Sequence, residues 1–459
     1  MEHQDLMTSS PTLTVIEQSH VSPPPATVGD GVLPLTYFDF WWLTQPPIHY
    51  LFFYDLPITQ THFTETIIPN LKHSLSITLQ HFFPFAGKLI VFPASGKKPE
   101  IRYGESDYVE VTFAECNLDF DELTGNHPRD CETFYNLIPL LGEAEKTEES
   151  TNIRLFSVQV TLFPGSGISI GMTNHHSLGD ASTRFHFLNA WTSIARFGTE
   201  QSFLANGDML PVYDRVARNV KLEESYLKFV KVENFKEYEP PKLSGPSDKV
   251  RGTFILSRTA LTRFKNLVST EQPTLVYVSS FTVACAYIWS CLATSTHEND
   301  ELELFGFTID CRTRMNPPVP PTYFGNCVGL CGAMEKTTRL TGKDGFVNAA
   351  KLIGENLHKT LTDKDGVVKE VESFGDMLAN GLPSTIIGVA GTPKLKFYEM
   401  DFGWGKPKKI ETISIEYSGS ISMNACKEKS EDLEIGVCLP SVTMERFVGI
   451  FDNGLKEYI

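Results

Sequence analysis

The feature that restricts the fold most strongly is a loss of regular apolar spacing near the middle of the chain. Between residues 200 and 250 the apolar residues lose their periodic spacing, and charges and prolines accumulate in the run VENFKEYEPPKLSGPSDK. Such a stretch is typical of a surface connection. Because the 459 residues exceed what one ordinary core holds, the sequence predicts two domains, 1–200 and 251–459, joined by a crossover loop at 201–250.

Strands and helices alternate on both sides of this break, which indicates a mixed α/β fold. Before it, the spacing predicts a strand at 12–18, a helix at 63–79, a hairpin at 156–173 and a helix at 181–197. After it, the spacing predicts strands at 253–256, 302–309, 413–421 and 433–439, with helices at 279–292 and 345–360. The segment near 362–395 is a candidate for packing back on the first domain.

Charge and composition exclude several classes of protein. The net charge is −16 and there is no long basic run, so we expect no nucleic-acid partner. No apolar stretch reaches membrane-spanning length, and no apolar leader precedes the prolines at 23–25. The nine cysteines lack the spacing of a zinc site, which favours free thiols in a reducing compartment. We therefore expect a cytosolic protein with no metal.

The run HHSLGD at 175–180 is the first candidate for chemistry. It leaves a predicted strand and enters a predicted helix, a position from which a side chain can face a cleft. An ordinary histidine has the near-neutral pKa that deprotonation of an alcohol needs, which makes His176 the candidate base. A His and an Asp four residues apart also occur often by chance. On that interpretation His176 is an ordinary histidine and Asp180 only caps the helix that follows.

The run MDFGWGKPKK at 400–409 is the second candidate. Two glycines flank Trp404, which indicates either a close approach to a ligand or a sharp turn around a buried aromatic ring. Lysines at 394, 396, 406, 408 and 409 form the densest basic cluster of the chain. They are compatible with phosphate binding or with an ordinary solvated loop.

A third pattern, GISIG at 167–171, matches the GxSxG of hydrolases. The nucleophile of that motif sits on a strained turn between a strand and a helix. Ser169 lies instead inside an alternating strand, so we do not expect it to be a nucleophile. The chain also has neither a phosphate-binding GxxxxGK[ST] nor a glycine-rich dinucleotide fingerprint, which argues against most kinases, ATPases and dehydrogenases.

HHSLGD followed at this separation by DFGWG at 401–405 resembles the plant BAHD acyltransferases over essentially the whole chain. HFFPFAGKL near residue 85 and DCRTR at 310–314 also fit. YFGNC at 323–327 and HSLGDASTRF at 176–185 are similar to the clade that acylates anthocyanin and flavonoid glucosides, although Ala181 replaces a glycine common in relatives. The resemblance implies two similar chloramphenicol-acetyltransferase-like domains with mixed sheets and an active-site channel between them.

The resemblance also implies roles for individual residues. His176 would be the general base, and Asp180 would be structural, held by Arg312. Asp401 would shape the turn that contains Gly403 and Trp404. These two residues would contact the substrate, and the indole N–H of Trp404 would lie near the oxyanion.

Arg184 would hold the carboxylate of a malonyl group. The alternative interpretation is that Arg184 lies at the surface, on the polar face of the helix.

The expected activity is transfer of malonyl from malonyl-CoA to a glucosyl hydroxyl of an anthocyanin or related flavonoid glucoside, without an acyl-enzyme. Malonyl-CoA would be a co-substrate, and no cofactor or metal is expected. One alternative keeps the chemistry with an aromatic or acetyl donor and another phenolic acceptor. A non-catalytic CoA-binding or small-molecule-binding protein is an alternative of a different class. The family expectation is a monomer.

Overall fold

The structure is a computed structural model that describes residues 13–205, 209–215, 220–240, 248–296, 300–363, 381, 383–429 and 431–458. Strands and helices occur in both halves of the chain, and the predicted mixed α/β class is confirmed. Across these residues, no helix is both long and apolar enough to cross a membrane.

The strands in the described residues are β1 (Leu13–Val21), β2 (Gly31–Pro34), β3 (Ile48–Asp55), β4 (Lys88–Val91), β5 (Glu100–Tyr103), β6 (Val109–Cys116), β7 (Arg129–Asp130), β8 (Glu145–Lys146), β9 (Thr151–Arg154), β10 (Phe156–Phe163), β11 (Gly167–Asn174), β12 (Lys249–Leu256), β13 (Leu302–Asp310), β14 (Val328–Lys336), β15 (Thr385–Ala390), β16 (Lys409–Thr412), β17 (Ile421–Ala425) and β18 (Leu433–Pro440).

The α-helices there are α1 (Tyr37–Phe40), α2 (Gln60–His62), α3 (Ile68–His81), α4 (Phe120–Thr124), α5 (Ala181–Phe197), α6 (Gln201–Leu204), α7 (Val220–Val230), α8 (Arg258–Glu271), α9 (Ser280–Thr296), α10 (Thr337–Leu340), α11 (Gly345–Thr362), α12 (Ile415–Ser418) and α13 (Ser441–Tyr458). A π-helix spans Phe63–Ile67, and 3₁₀ turns span Trp41–Leu43, Phe83–Phe85, Cys131–Leu137, His176–Leu178, Val232–Glu237, Arg312–Arg314 and Phe397–Glu399.

The first half is organised around a sheet in the order β1-β6-β10-β11-β3-β16. The predicted hairpin is present, with β10 and β11 antiparallel from Phe156 opposite Asn174 to Phe163 opposite Gly167. All residues of both strands are buried, because both faces of the sheet are covered. A smaller sheet, β2-β5-β4-β9-β8, shares its core with α3 and α5.

The second half is organised around the sheet β14-β13-β15-β17-β18-β12-β7. Its core packs α8, α9, α11 and α13 against the strands. Helix α9 is apolar on nearly all sides and lies at the centre of this layer, which explains its weak amphipathic pattern.

Each large sheet ends on a short strand from the other half of the chain. Strand β7 of the first half pairs with β12 in the second sheet, with Arg129 opposite Arg251. Strand β16 of the second half pairs with β3 in the first sheet, with Lys409 opposite Phe53. The two halves are therefore joined through their sheets as well as through the connection near 200–250.

Within the segment proposed to pack back, 362–395, strand β15 instead pairs with β13 and β17 of the second sheet. Residues 409–412 extend the first sheet, because β16 continues the edge next to β3. Residues 364–380 and 382 lie outside the described residues. The domain boundaries themselves stay a prediction.

Two further local predictions are corrected. The connection at 201–250 contains the helix α7, whose Leu222, Tyr226 and Val230 are buried at a spacing of one turn in the first core. The strand predicted at 413–421 is the helix α12 instead. It ends at Gly419, whose φ of +61° turns the chain into β17.

Candidate active site

His176 lies at the end of β11, where the chain turns toward α5. The turn is the 3₁₀ segment His176–Leu178, and Gly179 ends it. A Cβ at Gly179 would lie 2.7 Å from the Cβ of Thr183, so this position accepts only glycine without displacing the first turn of the helix. The turn therefore presents His176 between the sheet and the helix.

The imidazole of His176 is held face to face with an indole. The Trp42 ring stacks on it with centroids 3.6 Å apart and planes 9° apart. The His176 side chain is half-buried and its Nδ1 is enclosed, so Nε2 is the nitrogen that can meet a substrate. Burial, followed by the positive charge of Arg184, lowers the pKa of His176 to about 3. The ring is therefore neutral at pH 7 and its Nε2 can accept a proton, but it is a weaker base than the near-neutral histidine expected from the sequence.

His175 has a different environment. It is 1% exposed, and its Nδ1 accepts a hydrogen bond from the Ser177 backbone N–H at 3.2 Å. Burial lowers the pKa of His175 to about 4. His175 is thus enclosed in the turn, whereas His176 is partly accessible.

Asp180 forms a buried, two-pronged ion pair with Arg312. Arg312 Nη1 donates to Oδ2 at 2.8 Å, and Nη2 donates to Oδ1 at 3.0 Å. The same carboxylate accepts from the backbone N–H groups of Ser182 and Thr183, at 3.1 and 3.2 Å, and so also caps α5. Pairing with an arginine and capping of the helix were separate interpretations of the sequence, and the structure contains both contacts.

The charge of Arg312 decides the ionisation of Asp180. Burial would raise the pKa of this carboxyl, but Arg312 and the Cys327 backbone N–H, which donates to Oδ2 at 3.0 Å, hold it below its usual value. Arg312 Nη2 also donates to the carbonyls of Tyr323 and Gly325. The pair thereby ties the turn that carries His176 to the YFGNC segment.

Asn326 and Trp42 contact His176 and were not assigned a role from the sequence. Asn326 donates through Nδ2 to the His176 carbonyl and to Asp39 Oδ1, both at 3.0 Å. Asp39 is fully buried and also accepts from the Asn326 backbone N–H at 3.2 Å. The YFGNC segment was the available signal for Asn326. Nothing in the sequence indicated that Trp42, far from the motif, would stack on the histidine.

Arg184 projects from the first turns of α5 into a pocket beside the sheet. The pocket is otherwise apolar apart from a few uncharged polar groups, and it is lined by Tyr50, Phe52, Phe85, Phe156, Met172, Asn174, Phe187, Leu188 and Phe397. Arg184 Nη1 donates to the Gly179 carbonyl at 3.2 Å, and Nη2 to the Tyr50 hydroxyl at 3.3 Å. Its side chain is half-buried, not on the outer face of the helix. No carboxylate of the described residues forms an ion pair with Arg184.

Asp401 organises the glycine turn of the second motif. Its Oδ1 accepts from the backbone N–H groups of Gly403 and Gly405, both at 2.8 Å. The φ angles of these glycines are +99° and +93°, a region that side chains disfavour. Oδ2 accepts from Arg196 at 3.0 Å, which fastens the turn to the end of α5.

The structure does not bring Trp404 to His176. The Trp404 ring packs edge-on against Tyr54, with centroids 5.6 Å apart. Ile48, at the start of β3, pairs with Asn174, which comes just before the two histidines. Tyr54 lies about six residues further along β3, so roughly 20 Å of strand separates Trp404 from His176. The expected indole donor at the oxyanion does not fit this geometry. Gly403, in the same turn, lies against Arg196.

The lysines near this turn pair with acidic residues. The ion pairs are Lys406 with Glu399 at 2.8 Å, Lys408 with Asp121 at 2.6 Å, and Lys409 with Glu434 at 3.6 Å. Their charges are therefore neutralised within the protein, which removes support from the phosphate-binding interpretation of these three. Ser169 is fully buried within β11, as the strand interpretation predicted.

One cluster of the described residues has metal-ligand character. The ligand atoms of Cys131, Glu416 and Cys438 lie within 4.8 Å of one another and are buried. The two sulfurs are 3.1 Å apart and share a hydrogen bond, and the Tyr135 hydroxyl donates to Glu416. Glu411 and the neighbouring Arg251, which carries a positive charge, add to this polar layer. These side chains form a hydrogen-bonded network that joins β18 to the turn after β7.

Comparisons with known proteins give a consistent result. The sequence profile described as the Transferase family matches residues 12–453. A malonyl-coenzyme A:anthocyanin 3-O-glucoside-6''-O-malonyltransferase of Dahlia pinnata is 52% identical over 463 aligned residues, covering 99% of this chain and 100% of the relative. Phenolic glucoside malonyltransferase 1 of Nicotiana tabacum is 41% identical, covering 89% and 91% of the two chains. The crystal structure of vinorine synthase matches with a TM-score of 0.70 at 20% identity, covering 95% of this chain and 96% of the other, and so shows the same fold.

Proposed function

Because the chain belongs to the Transferase family, the BAHD acyltransferases that its motifs resemble, and is an acyl-CoA-dependent O-acyltransferase, we propose that it transfers malonyl from malonyl-CoA to a glucosyl hydroxyl of an anthocyanin or related flavonoid glucoside. The two relatives described above, whose names state malonyl transfer to glucosides, support this choice of donor and acceptor class.

The main support for a malonyl donor is that Arg184 forms no ion pair with any carboxylate of the described residues. A malonyl group bears a carboxylate, and burying that charge is costly unless a cation meets it. Arg184 has no ion-pair partner among the described residues, and it faces an apolar pocket on the helix that starts beside His176. A planar guanidinium can hold both oxygens of a carboxylate. Acetyl and aromatic acyl groups would leave the same cation without a counter-charge.

His176 acts as the general base in the proposed reaction. Its neutral Nε2 accepts the proton of the glucosyl hydroxyl while that oxygen attacks the thioester carbonyl carbon. The tetrahedral intermediate collapses, the carbon–sulfur bond breaks, and the same proton passes to the departing sulfur, giving the ester and CoA. General-base help of this kind typically contributes about a hundred- to ten-thousand-fold. No protein nucleophile takes part, so no acyl-enzyme forms.

Asp180, Arg312 and Asp401 have positioning roles in this proposal. The Asp180–Arg312 pair holds the His176 turn against the YFGNC segment. Asp401 shapes the turn at Gly403 and fastens it to the far end of α5. All three act through the helix that carries Arg184, and none is assigned a contact with the reacting atoms.

The proposal extends to cofactors and cellular location. Malonyl-CoA is the acyl donor, and the general-base reaction needs no further cofactor or metal. We place the protein in the cytosol as a monomer. Its nine cysteines all lie in the described part of the chain and are free thiols there, which favours a reducing compartment.

A donor panel tests the activity. Purified protein is given malonyl-, acetyl- and coumaroyl-CoA with anthocyanidin and flavonol glucosides, and release of the CoA thiol is measured. We expect malonyl-CoA to give the highest kcat/KM. A preference for acetyl- or coumaroyl-CoA would reject the malonyl assignment, and CoA binding without release from any donor would point to a binding protein.

The Arg184→Ala variant tests whether Arg184 binds the malonyl carboxylate. Malonyl transfer should fall roughly ten- to a hundredfold, because a hydrogen bond to a charged group contributes about 1.5–3 kcal/mol. Acetyl transfer should fall far less. Arg339→Ala, which removes a largely exposed arginine of α10, is the matched control. An unchanged ratio of the two kcat/KM values in Arg184→Ala would remove the structural support for a malonyl donor.

A further inference from the structure

Two buried cysteines from different halves of the chain lie sulfur to sulfur. Cys131 directly follows β7, and Cys438 lies near the end of β18, opposite Arg251 of β12. Their exposed fractions are 1% and 9%, and their Sγ atoms are 3.1 Å apart. Because a disulfide bond is about 2.05 Å long, a movement of about 1 Å would bring the two sulfurs to bonding distance.

We propose that Cys131 and Cys438 are a redox-active pair, which a hydroperoxide such as hydrogen peroxide oxidises to a reversible disulfide. The bond would join β7, the strand that the first half contributes to the second sheet, to β18 of that sheet. Neither cysteine lines the pocket that Arg184 faces, so the oxidation is independent of the proposed malonyl transfer.

Arg251 supplies the positive charge that favours a thiolate, the nucleophilic form of cysteine. The guanidinium is buried, and its Nη2 donates to the carbonyls of Thr412 and Ile413. Nε and Nη1 have no hydrogen-bond acceptor among the described residues, and the Glu411 carboxylate lies 3.7 Å from Nη1. The cation therefore keeps unused donors on the strand next to Cys438.

The hydrogen bond between the sulfurs distinguishes the roles of the two cysteines. Donation from Cys131 lowers the pKa of Cys438. Burial opposes this effect and Arg251 adds to it, and the net shift is downward. The same hydrogen bond raises the pKa of Cys131. Because Cys438 is also the more exposed of the two, it is the thiolate that meets the peroxide, and Cys131 is the thiol that resolves the product.

Glu416 completes the cluster as an acceptor for the proton of Cys131. One of its carboxylate oxygens lies within 4.8 Å of both sulfurs. The Tyr135 hydroxyl donates to Oε1, whereas Oε2 is buried without a hydrogen-bond partner in the described part of the chain. A buried acceptor without a partner is costly, and a proton from the thiol would remove that cost.

The oxidation takes two steps. The Cys438 thiolate attacks one oxygen of hydrogen peroxide, the O–O bond breaks, and the departing hydroxide takes the proton that Cys438 had released. The products are a sulfenic acid and water. Cys131 then gives its proton to Glu416 and attacks the Cys438 sulfur, so that the S–S bond forms and the S–O bond breaks. The hydroxide that leaves takes the proton from Glu416 as a second water.

The electrons balance in this sequence. Two thiols lose two electrons in forming the disulfide, and these electrons reduce one hydrogen peroxide to two waters. A dithiol reductant reverses the oxidation by thiol–disulfide exchange.

Peptide mapping of the full-length wild-type protein tests the pair. The reduced protein is treated with hydrogen peroxide, the remaining thiols are alkylated in denaturant, and the digest is analysed by mass spectrometry without reduction. We expect the Cys131 and Cys438 peptides to be linked, and to separate after treatment with dithiothreitol. Cys426 is half-buried, whereas the other eight cysteines, all within the described residues, are buried. If Cys131 and Cys438 stayed free thiols at peroxide concentrations that oxidise Cys426, the proposal would be wrong.

Serine variants test the assigned roles. In Cys131→Ser the sulfenic acid of Cys438 is not resolved, and dimedone should label it. In Cys438→Ser dimedone should leave Cys131 unlabelled. Cys426→Ser is the matched control and should form the linked peptide as the wild type does. Dimedone labelling of Cys131 without labelling of Cys438 would overturn the choice of nucleophile.

Thermal melting tests what the bond does. The oxidised wild type should melt roughly 2–4 °C above the reduced protein, because a bond between residues far apart in the chain restricts the unfolded state. Dithiothreitol should abolish the shift, and Cys131→Ser should not show it. A complete disulfide without any shift would show that the bond does not fasten β7 to β18.

Zinc binding is the competing use of this cluster. Two thiolates and a carboxylate are ligands that Zn²⁺ accepts, but the buried guanidinium of Arg251 repels a divalent cation. We expect protein incubated with zinc chloride and passed through gel filtration to retain no zinc at these cysteines, and peroxide to link them as before. Retained zinc that protects both Cys131 and Cys438 from alkylation in the folded protein would identify a metal site and overturn the redox assignment.

Discussion

His175 and His176 are sequence neighbours with different surroundings, and their substitutions should differ accordingly. His176→Ala should lose about a hundred- to ten-thousand-fold in kcat, because it removes the base, and should retain CoA binding. His175→Ala should keep most of its turnover per folded molecule and melt earlier, because His175 is enclosed in the turn. Steady-state rates, calorimetric CoA binding and thermal melting check this. A dead His175→Ala beside an active His176→Ala would reverse the assignment.

The pH dependence follows from the same two residues. Burial lowers the pKa of His176 to about 3, so the base stays neutral at pH values where an ordinary histidine is protonated. The acid limb of kcat/KM should therefore lie below pH 6.5. An apparent pKa at or above 6.5 in the kcat/KM profile would contradict an environment of this kind around the base.

Folding stability should also change with acidification. Burial lowers the pKa of His175 to about 4, whereas the unfolded histidine titrates near 6.5. Between these two values the unfolded chain binds more protons, so the stability due to the neutral His175 is complete above about pH 6.5 and declines as the pH falls toward 4. Denaturant titrations at pH 7.5 and 5.5 measure this, and His175→Gln should show a smaller difference between the two conditions.

At the scale of the element, Asp180 joins helix α5 to the second half of the chain. Asp180→Ala should lower activity and reduce the free energy of unfolding by about 3–5 kcal/mol, because the buried Arg312 would lose its two-pronged partner and keep only one ion pair among the described residues, that of its Nη1 with Asp310 at 3.1 Å. Chemical denaturation and kcat/KM measure the two effects.

Asp119 provides the control for helix capping alone. It caps α4 through the N–H groups of Asp121 and Glu122 and pairs with no arginine in the described residues. Asp119→Ala should cost about 0.5–2 kcal/mol, the usual effect of a lost cap. If the Asp180 variant lost no more than the Asp119 variant, the buried pair would contribute nothing beyond a cap.

At the scale of the whole molecule, a buried ion pair joins the two exchanged strands. Arg129 of β7 donates to Glu411 of β16 at 2.8 Å. Burial would raise the pKa of Glu411, but Arg129, Lys409 and Arg251 hold it below its usual value. The stability due to this group is therefore present above about pH 4.3 and declines as the pH falls below it.

Arg129→Met should destabilise both halves together. The expected loss is about 3–5 kcal/mol, because Glu411 keeps its charge without its nearest partner. Lys336→Ala, which breaks an exposed pair with Asp300, should change stability by less than about 1 kcal/mol. Calorimetry should show the wild-type protein and Arg129→Met each unfolding in one transition. Two separated transitions in the wild type would show that the exchanged strands do not couple the halves.

The local patterns of the sequence were sufficient for several elements. The buried hairpin β10–β11 and the helix α5 follow from alternating and helical spacing, because both depend on residues close in sequence. The turn at HHSLGD follows from its place between them. The spacing failed at 413–421, where the alternating sequence ISIEYSGSI contains a short helix, and at α7, a helix with three buried apolar residues inside the connection predicted to be a loop.

The sequence by itself determined the class of fold and, through a resemblance covering the whole chain, the candidate base His176 and its partners. Tertiary structure decided what surrounds them. Trp42 stacks on His176, Tyr50 meets Arg184, and Trp404 lies at the other end of the sheet. These contacts join residues that are far apart in the chain. They depend on the order of the strands in each sheet and on the exchange of β7 and β16 between the sheets. Strand order and strand exchange leave no periodic signal in the local sequence, because periodicity reports only the face on which a residue lies.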